Sequence, residues 1–374
     1  MGWTAPDGII VPRWVVDTSQ GRPSVEHPTR IFIDTSKELF QLHGVNAAEA
    51  VVVRRRLRRG QMLEYFGKLK PAVVGLEACG GAQHWARALR AQGHEVKLLP
   101  AQYVKAYLKR NKNDARDAEA GCEALSRPTM RFVPVKSEEN QAVQMLVGVR
   151  ERLVRDRTRL SNEIRGYAAE FGLVAGKGLD KLQPLLERVA AETQLPELAR
   201  ELFGDLGREL TDLEARLAGI ERRLLVWHRQ DEVSRRLAAI PGVGPIGAVL
   251  LRVKTPQPEG FKSGRDFAAW AGLTPKDHST AGKTRLGVIT RAGDERLRAV
   301  LVSGAMSVIQ KVKAALKAGR PAAWPWLAEL VKRKQPKEAA VALANKIARI
   351  AWKLMISGQA YRPQPGDLAQ PTAA

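Results

Sequence analysis

The stretch Lys112-Asn113-Asp114-Ala115-Arg116-Asp117-Ala118 sets two aspartates three residues apart where an alanine-rich, helix-prone segment begins. Residues i and i+3 share one face of an α-helix, so Asp114 and Asp117 point into the same space. Two carboxylates aimed at one point repel each other unless a cation lies between them. Oxygen-only ligands of this kind suit Mg²⁺ or Mn²⁺, ions that neutralise phosphate charge in strand-cleaving enzymes. An isolated Asp-x-x-Asp pair is more often solvated helix surface or a favourable charge in a first helical turn. The pair gains weight from two acids upstream.

Each upstream acid closes an expected strand. Arg30-Ile31-Phe32-Ile33-Asp34 is a β-branched and aromatic run that ends at Asp34 before Thr35-Ser36. Phe40 to Val45 and Ala50 to Arg54 read as further short strands of a meander, and Gln61 to Leu69 as a helix. Ala72-Val73-Val74-Gly75-Leu76-Glu77 is too continuously apolar for a half-exposed strand, so it is expected inside the sheet, with Glu77 at its end. A helix through Gln92 and a strand from Glu95 to Leu99 follow. Two strand-end acids with an Asp pair on a later helix fit a ribonuclease-H-like α/β design, in which strand and helix carboxylates face one another across a metal site.

The chain has 374 residues, with 61 Lys and Arg against 39 Asp and Glu, for a formal charge of +22. An excess of that size attracts polyanions, nucleic acid above all, and says nothing of base specificity. No run approaches the roughly 20 apolar residues of a membrane span, and residues 1–28 lack the apolar core of a signal peptide. A cytoplasmic protein without a membrane partner is therefore expected. Cys79 and Cys122 are the only cysteines, too few for a disulfide framework or a zinc cluster, and both read as reduced, buried side chains.

Beyond about Met130, apolar positions Leu146, Val149, Leu153, Leu160, Ile164, Tyr167 and Phe171 form a heptad-like stripe. Leu202, Leu206, Leu210, Leu213, Leu217, Ile220 and Leu224 form a second, after a break from Gly172 to Pro196. The expected structure is an antiparallel coiled-coil hairpin whose basic face, including Arg152, Arg155 and Arg159, is available to nucleic acid. Ile240-Pro241-Gly242-Val243-Gly244-Pro245 reads as the turn of a helix-hairpin-helix element, with Gly242 and Gly244 letting the backbone approach a phosphate. A helix ending near Pro275 then leads into the polar loop Lys276-Asp277-His278-Ser279-Thr280-Ala281-Gly282-Lys283, with Arg285 beyond it. An Ala- and Leu-rich helix is expected from Lys337 to Ser357, closed by Gly358.

Together these pieces resemble the Piv/MooV-type transposases of the insertion-sequence one-ten family across nearly the whole chain. The resemblance is carried by Ile33-Asp34-Thr35-Ser36-Lys37, Gly75-Leu76-Glu77-Ala78-Cys79-Gly80-Gly81, the Lys112 to Ala118 stretch and the Ile240 to Pro245 turn. It is also carried by Trp270-Ala271-Gly272-Leu273-Thr274-Pro275, His278 to Lys283 and Arg291-Ala292-Gly293-Asp294. It implies an extension over residues 1–28, a RuvC-like catalytic domain over 29–132, a coiled-coil linker over 133–232, a mostly helical C-terminal transposase domain over 233–358 and a disordered tail over 359–374. Asp34, Glu77, Asp114 and Asp117 would be the Mg²⁺ or Mn²⁺ ligands and Ser279 the nucleophile, with Lys283 and Arg285 adding positive charge. The implied partners are donor and target double-stranded DNA, a structured bridge RNA and further copies of the chain, as a tetramer assembled from dimers.

Two departures stand out: Ala281-Gly282 where the family carries Gly-Gly, and Gly287-Val288-Ile289-Thr290 where it carries basic residues. A Holliday-junction resolvase or structure-selective nuclease would use the same acids with an activated water, but gains nothing from a serine loop. A non-enzymatic scaffold would have no use for four acids that are costly to bury without a metal.

Overall fold

The computed structural model describes residues 27–105, 107, 114–280, 282–320 and 324–363. Residues 1–26 of the expected extension and 364–374 of the expected tail lie outside them. The chain divides into two compact units, residues 1–135 and 136–374.

In the first unit, β1 (Arg30–Asp34), β2 (Leu39–Val45) and β3 (Val51–Arg58) form the expected antiparallel meander. They are followed by α1 (Met62–Gly67), β4 (Val73–Glu77), α2 (Ala82–Ala91), β5 (Glu95–Leu99), α3 (Ala101–Lys105) and α4 (Asp114–Leu125). Strand order is β3-β2-β1-β4-β5, with β1, β4 and β5 parallel. Thus β4 is an interior strand, as its unbroken apolar run requires. β3 continues four residues past the expected end at Arg54, because an edge strand tolerates charges on both faces and so loses the alternation that marks it.

Strand alternation sorts the core into two faces. Ile31, Ile33, Phe40, Leu42, Val53 and Leu57 pack with Met62 and Phe66 of α1 and Trp85 and Leu89 of α2. Phe32, Val45 and Leu99 meet α4 through Ala118, Cys122 and Leu125. That contact is close: a Cβ on Gly121 would overlap the Phe32 ring, and one on Gly75 would lie 2.8 Å from Leu125. Cys122 is buried as expected, but Cys79 is exposed. It lies beyond the end of β4, where its sulfur meets Thr35 Oγ1 at 3.0 Å.

The second unit opens with α5 (Glu138–Glu170), α6 (Leu182–Ala191) and α7 (Glu197–Gln230). α5 and α7 run antiparallel: Trp227 Nε1 donates to Glu139 at 2.9 Å, Arg150 Nε to Glu221 at 2.8 Å, and the Phe171 and Phe203 rings meet at 6.4 Å. The stripes are buried at their centres, Leu153, Leu160 and Ile164 against Leu210, Leu213 and Leu217. Their outer members Tyr167, Phe171 and Leu202 are exposed. The break between them is itself structured, because α6 inserts Leu182, Leu185 and Val189 into the same cluster.

α8 (Glu232–Ala238), α9 (Pro245–Lys254), α10 (Gly264–Trp270), β6 (Pro275–Asp277), β7 (Leu286–Ile289), α11 (Glu295–Lys317), α12 (Pro325–Arg333) and α13 (Pro336–Ser357) complete the unit. α13 starts on a proline and stops at Gly358 with φ +67°, a left-handed cap that suits glycine. α11 has no counterpart among the expected elements; by length and composition alone it is long and apolar enough to cross a membrane. It instead buries Leu297, Leu301, Ala305, Ile309 and Val312, one stripe of an amphipathic helix, in the helical core.

Gly121→Ala should lower stability by about 1–3 kcal/mol, because overpacking at Phe32 exceeds the roughly 0.5–1 kcal/mol that alanine gains in a helix interior. Gly166→Ala, on an exposed stretch of α5 with nothing within 4 Å of the added carbon, should raise it. Urea midpoints of the two variants check the pair, and equal shifts would remove the close-packing argument.

Candidate active site

Asp34 and Glu77 end neighbouring parallel strands. Ile33 pairs with Leu76, so the next residue on each strand is an acid, and both side chains are half-buried. Residues aligned in register on adjacent strands lie on one face of the sheet. Asp34 shares its face with Phe32, and Glu77 with Gly75, the face that α4 covers. α4 runs opposite to β1: Cys122 lies beside Arg30, whereas Gly121 meets Phe32. Asp117, one turn ahead of Gly121, therefore lies toward the β1 end that carries Asp34.

Asp117 Oδ1 is buried without a hydrogen-bond donor. A carboxylate oxygen in that state is costly unless a cation or a donor meets it. The set is all oxygen, the donor chemistry of Mg²⁺ or Mn²⁺. Among the described residues no three His, Cys, Asp or Glu side chains close into a metal-binding group. Asp114 opens α4, and its side chain lies outside the described residues.

Ser279 sits at the tip of a β-hairpin in the second unit, where the sequence suggests a polar loop. β6 and β7 pair antiparallel, and a bridge from Thr280 to Lys283 closes the tip. Gly282 takes φ +79°; Ala281 lies outside the described residues. Ser279 Oγ accepts the Arg285 amide at 3.0 Å, while its own amide donates to Asp277 Oδ1 at 2.8 Å. The Ser279 hydroxyl lies beside Asp277, and together with the Ser279 amide it holds the Asp277 carboxyl below its usual range. Asp277 is thus a carboxylate seated beside the serine, a residue that sequence reasoning misses. The Asp-x-Ser spacing, which favours an aspartate reaching the amide two residues on, is its signal. Ser279, Lys283 and Arg285 are exposed.

The hairpin is anchored at its base by backbone contacts. Gly272 and Gly293 take φ +72° and +69°; a Cβ on either would overlap carbonyls of Ala292 or Trp270. Arg298 Nη1 donates to Ala292 O at 2.8 Å, and Asp294 caps α11 through Leu297 N at 2.9 Å. Trp270 to Leu273 and Arg291 to Asp294 are thereby explained as the seat of the serine hairpin.

The Gly242 turn joins α8 to α9 as expected. Gly242 takes φ +88°, and its Cβ position lies 3.0 Å from Gly304 O of α11, so helix packing accounts for this glycine. Gly244 has φ −75° and caps α9 at an exposed position. Arg152, Arg155 and Arg159 are exposed on α5, but Arg152 pairs with Asp156 at 2.9 Å. Glu209 and Asp212 line the same cleft as Arg152 and Arg159.

Over residues 234–319 the sequence matches the IS116/IS110/IS902 transposase family, and over residues 32–171 the DEDD transposases of the IS110 type. The latter type implies a divalent metal, typically Mg²⁺. A Sinorhizobium fredii protein named as a transposase is 59% identical over 93% of this chain and 89% of its own length. The transposase of insertion element IS1328 from Yersinia enterocolitica is 37% identical over 89% and 98%, and that of IS1111A from Coxiella burnetii 36% over 95% and 98%. The chain belongs to the IS110/IS116/IS902 family of insertion-sequence transposases.

Proposed function

We propose that this transposase cuts and rejoins donor and target DNA through a covalent bond to Ser279, with Asp34, Glu77, Asp114 and Asp117 as its Mg²⁺ ligands and a bridge RNA as its guide. The observation that carries the reading is the Ser279 hydroxyl, exposed at a hairpin tip and held between the Asp277 carboxylate and the Arg285 amide. A resolvase acting through water has no use for a serine so held. Mg²⁺ bound to the acids would polarise the scissile phosphate and stabilise charge on the departing oxygen.

Ser279 Oγ attacks the phosphorus, its proton passing toward Asp277, and the phosphorus–oxygen bond to the neighbouring sugar breaks as that oxygen takes a proton. Lys283 and Arg285 supply positive charge where the phosphate binds. The new phosphoserine ester conserves the energy of the broken bond. A second sugar hydroxyl can displace the serine, so strands rejoin without an external energy source. Thr280 is a poorer nucleophile because its methyl crowds in-line attack. The chemistry calls for the serine and the acids to act on one phosphate, within a copy or between copies. The antiparallel α5–α7 arm, read as a coiled coil, supports assembly into dimers and a tetramer, and its arginines support RNA binding.

A nicked suicide substrate should trap a protein–DNA adduct that Ser279→Ala loses and Thr280→Ala keeps. Release of free hydrolysed ends alone, or an adduct with Ser279→Ala, would return the reading to a resolvase. Asp117→Asn should lower strand exchange by about two to three orders of magnitude, as for loss of a principal electrostatic group. The same variant should melt no lower than wild type, because the buried charge it removes has no donor. Unimpaired exchange would remove Asp117 from the metal set. Replacing Arg152, Arg155 and Arg159 with Glu should weaken binding of the co-purifying RNA and flatten its salt dependence, read by filter binding. An unchanged affinity and slope would make that face ordinary solvated surface.

A further inference from the structure

Edge strand β3 and the residue after it carry five arginines in six positions: Arg54, Arg55, Arg56, Arg58 and Arg59. All five are exposed. Among the described residues none has a carboxylate within ion-pair range. Their contacts are neutral ones: Arg56 Nε donates to Gln41 Oε1 at 3.0 Å, Arg55 stands 5.4 Å over the Tyr65 ring and Arg59 5.1 Å over the Trp85 ring. These contacts orient the Arg55, Arg56 and Arg59 guanidinium groups and leave their charge unmatched. The arginines of α5 are different, for Arg150 and Arg152 are paired with Glu221 and Asp156.

Strand alternation divides the five. Arg55 lies on the face of Val53 and Leu57, the side packed by α1 and α2, and Arg59 reaches Trp85 of α2. Arg54, Arg56 and Arg58 lie on the α4 side. The register is informative here: Asp34 pairs with Gln41, and Gln41 with Arg56, so the three form one row across β1, β2 and β3. Directly opposed residues in antiparallel strands keep their side chains on one face. Two such steps put Arg56 about 10 Å from Asp34 in Cα terms. Arg58 lies one alternation further along, about 6.8 Å from Arg56, comparable to the separation of successive phosphates on a nucleic-acid strand.

We propose that Arg56 and Arg58 bind phosphates of the DNA strand being cut, on the side of the scissile bond that faces β3. The inference rests on Asp34, Glu77 and Asp117 being the cutting site. DNA is favoured over RNA because the arginines share a row and a face with those acids. Contacts of this type position a strand without reading its bases, and the Arg56 guanidinium, already held by Gln41, loses less freedom on binding.

The test uses the full chain in EDTA, with a mixed-sequence single-stranded DNA oligonucleotide, RNA of the same sequence, and anisotropy read across a salt series. Arg56→Gln with Arg58→Gln should weaken DNA binding several-fold and reduce the salt slope by about 1.4, or about 0.7 for each phosphate that is no longer neutralised. Arg55→Gln with Arg59→Gln, which removes equal charge from the other face, should leave the slope unchanged. Circular dichroism melts confirm that both double variants fold. Unchanged DNA binding by the first pair, whether or not RNA binding falls, overturns the proposal. So does an equal loss from both pairs, which marks a general effect of net charge. Binding without a divalent cation reads the arginines alone, whereas cutting by Asp117→Asn reads the acids, so failure of one is distinguishable from failure of the other.

Discussion

The first unit depends on the close approach of α4 to the sheet at Gly121 and Phe32. Without a side chain at Gly121, the helix backbone rests on the aromatic ring, and Leu125 fills the space left open at Gly75. The contact fixes both the depth and the direction of α4. A helix lifted by even one methyl group would carry Asp117 away from the strand ends, since close-packed interiors transmit small volume changes as displacements. The candidate site is therefore set by hydrocarbon packing a full turn away from its acids.

The second unit uses the same device on another chemistry. Gly242 against Gly304 brings the α8–α9 turn onto α11, and Gly272 and Gly293 bring the base of the serine hairpin onto the end of α10. Backbone meeting backbone leaves little room for adjustment, so the hairpin base is rigid while its tip is solvated. Such a base presents Ser279 outward in a defined direction. The Arg285 amide, donating to Ser279 Oγ, then orients the side chain itself.

Net charge of +22 does not say where a polyanion binds; the distribution of partners does. Along α5 the positive charge is partly matched by acids of the same helix and of α7. Along β3 it is held by an amide and two aromatic rings, which orient it and neutralise none of it. Exposed cation–π contacts contribute only about 0.5–1 kcal/mol, so the arrangement on β3 gains little from the folded state alone and is consistent with the proposed phosphate contacts.

Local pattern determined much of this protein. The apolar runs closed by Asp34 and Glu77, the Asp114–Asp117 spacing, the two long helices and the Pro336–Ser357 helix with its Gly358 cap were legible because each depends on neighbours along the chain. Tertiary structure decided what depends on residues far apart. The heptad stripes gave no sign that α6 would share their core, because an inserted helix is recruited by surface that only the folded arm presents. The serine segment became a hairpin because β7 lies alongside β6 on a seat made by Gly272 and Gly293, twenty-one residues apart. Gly242, readable locally as a phosphate-binding glycine, also has a packing reason that only Gly304, sixty-two residues on, supplies. β3 ran on through its arginines because β2 offered hydrogen bonds that no local propensity records. The order of residues determines which chemistry is present; the register between strands and the contacts between distant backbones decide which groups face one another.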